Sequence, residues 1–190
     1  MRWLTLYARS RQVPASAAVI LLVVLAAWVF DHGGPGPMEL VTVVLVLAVN
    51  VAAASVGLGG QDAALERTAA IRWVPRRAAH VLLIGAVAGG ALLVAGAVGA
   101  DPAPTGFLVR DAAGLAGLAA LGAVLFGAHL CWIPVTGWLA VTLLSPPAPG
   151  TVGEVLHWMT FSPSTRVSSG TAWVLLAVGT AAYAVAGPRR

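Results

Sequence analysis

The chain is poor in the residues that most chemistry needs. Its 190 residues hold one cysteine, Cys131, so no internal disulfide can form, and no CxxC pair or Cys/His cluster of zinc spacing is present. Lysine is absent, which removes any phosphate-binding loop of the kind that ends in a lysine; Gly57, Gly59 and Gly60 read as a helix terminator. Charged residues make up only 9% of the chain against 59% hydrophobic, too little polar surface to cover a water-soluble globule of this size. Lipid is therefore the expected solvent, and the fold class is an all-α integral membrane protein.

The positive charge is all arginine, and it lies beside apolar segments instead of in one basic tract, so the basicity reports topology and no nucleic-acid partner is expected. Arg2, Arg9 and Arg11 precede an apolar stretch as in a signal peptide, but no small-x-small cleavage site follows before Asp31, and an uncleaved first span is expected. Runs of roughly 20 apolar residues mark spans at 13–30, 38–56, 78–98 and 171–186. Residues 112–144 carry no Asp, Glu or Arg; Pro134 and the polar surroundings of His129 divide them into spans at 112–128 and 131–145. Six spans with both termini cytoplasmic place Arg67, Arg72, Arg76, Arg77, Arg189 and Arg190 inside with the N-terminal arginines, leaving Arg110 and Arg166 as exceptions. Asp31, Glu39, Asp101, Asp111 and Glu154 then lie outside. Trp3, Tyr7, Trp28, Trp73, Trp132, Trp158 and Trp173 fall near the interfaces, and Trp138 does not.

Unequal connections are the most informative feature. Arg2, Thr5 and Arg9 share one helical face and Trp3, Leu4 and Tyr7 another, which suits either an N-terminal helix lying in the interface or a basic tail. A long inner loop follows the second span, and residues 62–72 within it read as a short helix with Asp62 and Glu66 early and arginines later, either a docking element or a solvated loop helix. On the outer side, helix breakers at Pro146 and Pro163 enclose an apolar stretch, 152–161, too short to span, in which Glu154 and His157 are spaced to pair. Within the spans, Asn50 and Ser55 are candidates for the translocation path or for helix-to-helix hydrogen bonds, and Gly85 and Gly89 have the spacing that lets helices approach closely.

This plan resembles the permease subunits of the second exporter class of ABC transporters: an interfacial helix, six spans, a coupling helix between spans two and three, and short re-entrant helices between spans five and six. The family's acidic coupling motif, followed by Pro and Arg, is matched by Asp62, Leu65, Glu66, Pro75 and Arg76, with Ala64 where the family has Thr. The resemblance implies that Asp62, Leu65, Glu66 and Arg67 meet a cytosolic ATP-binding subunit. It implies that ATP and Mg sit on that partner, that a second permease half completes a homodimer or heterodimer in the cell membrane, and that Leu156, Trp158, Met159 and Phe161 form an outer gate. The cargo would be an amphipathic or lipid-like compound or peptide, and the chain itself no enzyme. Two other readings stand beside it: a non-transporting accessory or immunity protein, and a haem-binding redox subunit using His80 and His129. A serine protease at Ser168 and Ser169 lacks a positioned base.

Overall fold

The computed structural model describes residues 13–31, 38–58, 73–146 and 148–189. The N-terminal segment, Gly59 and Gly60, and the 62–72 loop helix lie outside the described residues. The described residues hold helices and no strands: α1 (Val13–Asp31), α2 (Leu40–Ser55, extended by a 3-10 turn Val56–Leu58), α3 (Trp73–Ala97), α4 (Thr105–Phe126), a 3-10 turn Ala128–Leu130, α5 (Ile133–Leu144), α6 (Gly150–Leu156) and α7 (Arg166–Ala186). Four helical stretches are long and apolar enough to cross a membrane: Leu40–Leu58, Trp73–Ala97, Thr105–Phe126 and Arg166–Ala186. The first and fifth expected spans correspond to shorter apolar stretches, Pro14–Val29 and Ala128–Leu144. The 12 residues of α5 reach only about 18 Å at 1.5 Å per residue, well short of a bilayer core of ~30 Å.

Hydrogen bonds fix the direction of each helix. Ser16 Oγ donates to the Ala53 carbonyl (2.8 Å), setting the start of α1 beside the end of α2. Tyr183 Oη, near the end of α7, donates to the Leu58 carbonyl (2.7 Å). Ser55 Oγ lies 3.2 Å from Cys131 Sγ, which brings the start of α5 to the same place, while Arg189 N donates to the Ala123 carbonyl (2.9 Å) near the end of α4. At the far end, Met38 N donates to the Asp101 carbonyl (3.1 Å), joining the start of α2 to the α3–α4 connection. So α1, α3 and α5 run one way and α2, α4 and α7 the other. Both ends of the described chain lie at one end of the bundle, the near end.

α4 is the central helix, with 72% of its apolar window buried, whereas α7 buries 22% and α3 33%. Its sequence explains the position, because alanine and glycine at Ala112, Gly114, Ala116, Gly117, Ala119 and Ala120 give it a thin cross-section that neighbours can approach from several sides. A Cβ at Gly117 would strike the Leu175 carbonyl of α7, and one at Gly179 the Gly117 carbonyl, so the two backbones touch. On another face of α4, Gly85 and Gly89 of α3 meet Ala112 and Ala116, which is the close approach their spacing suggested. Leu47, Val51, Val81, Ile84, Leu108, Leu115 and Val135 fill the remaining space. The helices end where the backbone demands glycine: Gly127 (φ 92°) closes α4 and Gly187 (φ 72°) closes α7.

The fourth span differs from the sequence reading. The helix begins at Thr105, ahead of residue 112, and carries Arg110 and Asp111 within it at 2% and 0% exposure. Asp111 was expected on the outer side among exposed acids; it lies near the far end of α4 but is fully buried. The physical reason is that the two charges pair with each other and Arg110 also bonds a third element, which offsets much of the cost of leaving water.

Candidate functional site

Arg110 sits in the second turn of α4, one residue before Asp111. Its Nε donates to Asp111 Oδ1 at 2.7 Å, an ion pair with 3% and 0% side-chain exposure. Its Nη1 donates to the Phe161 carbonyl (2.8 Å) and to Ser168 Oγ in the first turn of α7 (2.9 Å). Ser168 in turn donates to the Trp158 carbonyl (2.8 Å). The Phe107 ring lies 4.9 Å below the guanidinium carbon, within cation–π range. The network is incomplete: Arg110 Nη2 and Asp111 Oδ2 are buried and have no hydrogen-bond partner among the described residues. Buried polar groups are nearly always satisfied, and an ionised one left open carries a large desolvation cost.

The segment joined by this arginine is the outer stretch of the sequence reading. After α5 the chain turns at Ser145, forms α6, and folds back so that Trp158 and Met159 are fully buried, while Leu156 and Phe161 are half-buried. The Trp158 ring edge occupies the space in front of Gly114, where a Cβ would lie 2.5 Å from it. On its other side the segment is bound to α5: Trp138 Nε1 and Thr142 Oγ1 both donate to the Leu156 carbonyl, each at 3.0 Å. That bond accounts for Trp138, the tryptophan that fits no interfacial belt. The His157 ring lies 3.2 Å from the Gly153 carbonyl and 3.1 Å from that of Ser145, so it serves the turn and does not pair with Glu154. Ser169 Oγ donates to the Pro163 carbonyl (2.6 Å) and closes the re-entry into α7.

No family model, curated protein or solved structure matches the chain. The chemistry of the site is therefore read from its own geometry.

The two polar residues assigned to the second span part company. Ser55 is a packing residue: its hydroxyl bonds the Ala52 carbonyl (2.8 Å) and meets Cys131. Asn50 is fully buried, and neither amide atom has a partner among the described residues. The coupling residues Asp62, Leu65, Glu66 and Arg67 lie outside the described residues. His80 lines a cavity of about 130 Å³ with Ser16, Ile20, Ala54 and Ile84, below the ~300–1,000 Å³ usual for cofactor sites.

Sequence reasoning missed Arg110, Asp111 and Ser168 as a unit. The signal was present in the topology, where Arg110 breaks the distribution of arginines and directly precedes a long charge-free run.

Proposed function

We propose that this chain is the membrane-spanning half of an ATP-driven exporter of the second ABC class, driven by a separate cytosolic ATP-binding subunit and moving an amphipathic or lipid-like compound or peptide. The observation that carries the reading is the helix order. Six apolar helices alternate in direction if α1 and α5 are counted with the four long ones, the two ends of the described chain lie at the same end of the bundle, and a short fifth helix is followed by a buried fold-back before the last. This order resembles the plan of such permeases, and the likeness supports the reading.

In this reading the near end is cytoplasmic, and the loop between α2 and α3, with Asp62, Leu65, Glu66 and Arg67, receives the motor subunit. Nucleotide-driven movement there is transmitted along α2 and α3, and a second permease half supplies the other wall of the path. Export requires two arrangements of the same helices, with the differential contacts of nucleotide and cargo shifting the balance between them. The far end is the exit, closed by Leu156, Trp158, Met159 and Phe161. Asn50, buried without a partner among the described residues, supplies a polar contact on the way.

The test is co-purification of the full chain from its native host. An ATP-hydrolysing subunit should accompany it, with turnover that falls when Glu66 or Leu65 is replaced by alanine. Purified chain that brings down no nucleotide-binding protein would defeat the proposal and favour an accessory role.

A further inference from the structure

A buried ion pair whose only task is to hold helices together is served best by complete satisfaction, and can often be exchanged for apolar residues without loss. The pair at Arg110 is not complete. Asp111 engages the guanidinium side-on at Nε, which leaves the Nη1/Nη2 end, the fork that grips carboxylate and phosphate, turned to other partners. Nη2 has none among the described residues. Nη1 holds the Phe161 carbonyl and, through Ser168, the Trp158 carbonyl, both from the fold-back segment. Neutral carbonyls are the weaker class of acceptor for a guanidinium, and anionic oxygens bond it about twice as strongly.

The same helix walls a place for a hydrocarbon tail on a neighbouring face. Val109, Ala112 and Ala113, next to Arg110 in the sequence of α4, line a groove of about 430 Å³ that continues over Gly89 of α3 and Trp173 and Leu176 of α7, while Arg110 itself is buried outside that lining. A guanidinium paired with Asp111 only through Nε and capped by exchangeable carbonyls, on a helix that also walls an apolar groove, is complementary to a molecule with an anionic head and a single greasy chain.

We propose that Arg110 is the headgroup contact of the exported compound, gripping a phosphate or carboxylate on a hydrocarbon chain when residues 157–165 move off the guanidinium and release it. The inference rests on the export reading and names its substrate class. The fold-back carbonyls occupy the headgroup position in the closed form, so cargo and lid compete for one arginine. Asp111 positions the guanidinium and offsets its charge.

The test uses the full chain in a neutral maltoside detergent, with lysophosphatidic acid and lysophosphatidylcholine of equal chain length, each carrying a fluorophore at the tail end and read by anisotropy. Lysophosphatidic acid should bind about tenfold more tightly, a difference of the size a charge-assisted contact supplies. Arg110→Gln should erase that preference, and so should Arg110→Gln with Asp111→Asn, which leaves no carboxylate unpaired and guards against misfolding. Ser168→Ala should strengthen binding, because it loosens the lid; a merely structural role for the network predicts no gain. Inorganic phosphate at millimolar concentration should not compete, and competition would overturn the assignment to an amphipath in favour of the free ion. A monodisperse double variant that keeps the full preference would also overturn the proposal. Loss of the preference is read independently of the ATPase pull-down, so the headgroup site can fail while the export reading survives.

Discussion

Replacing Gly117 by alanine tests the central seam of the fold. The new methyl would meet the carbonyl and carbonyl carbon of Leu175 and the Cα of Leu176, all backbone of α7, and no side chain there can turn aside. The helices must move apart, and Gly179, whose own position is fitted to the Gly117 carbonyl, loses its contact as well. In a bilayer the lost packing is not repaid by water exclusion, because lipid tails are as apolar as the surfaces they would cover. Overpacking of this kind costs about 1–3 kcal/mol, and the backbone-rigid neighbours argue for the upper part of that range. Gly90→Ala is the matched control: it is also inside a helix, and a Cβ there meets nothing within 4 Å. Both substitutions gain the same helix propensity, up to about 1 kcal/mol, so their difference isolates the seam. Equilibrium unfolding in mixed dodecyl sulfate and maltoside micelles, followed by circular dichroism, should place Gly117→Ala about 2–3 kcal/mol below Gly90→Ala. Equal stability of the two would refute the backbone contact between α4 and α7.

Three further outcomes are expected. Arg110→Gln alone should cost about 3–5 kcal/mol in the same unfolding assay, since it strands Asp111 in the interior, while the double change with Asp111→Asn should recover most of that loss; a double variant no better than the single would show that the two charges do not depend on each other. Cys131 is 1% exposed and rests against Ser55, so maleimide should label it only after unfolding in dodecyl sulfate, and rapid labelling of the protein in maltoside would place the α4–α5 turn elsewhere. Fluorescent or protease-cleavable tags on the two termini should report the same compartment, as the alternating helices require, and opposite compartments would break that alternation.

What was legible in the sequence was whatever depends on local order. The apolar runs at 38–56, 78–98 and 171–186 became α2, α3 and α7, with ends shifted by a few residues, because span length and lipid solvation are properties of a single stretch. Gly85 and Gly89 pointed to a close approach because a repeat of four residues lies on one helix face. The apolar stretch between Pro146 and Pro163 was visible as too short to cross. Gly117 and Gly179 were not distinguishable from the other glycines, since their role depends on two faces 62 residues apart meeting. Trp138 failed the belt pattern for the same reason, as its acceptor, the Leu156 carbonyl, comes from another element.

The start of α4 shows the cost of reading charge locally. Arg110 and Asp111 look like the edge of a span if each is priced as a lone charge in hydrocarbon, about 2.5–3.5 kcal/mol on insertion scales. That price falls once Asp111 pairs with the arginine and Phe161 and Ser168 accept its Nη1 protons. The partner atoms lie more than fifty residues on, and no pattern in the stretch 105–126 announces them. The topology did carry a trace, because counting arginines by side left only Arg110 and Arg166 misplaced, and both belong to the far end, where the fold-back meets α4 and α7. An arginine that violates the distribution rule should thus be tested for a buried partner before it is assigned to a loop. Here that step would have carried the fourth helix back past 112 to include Arg110 and Asp111.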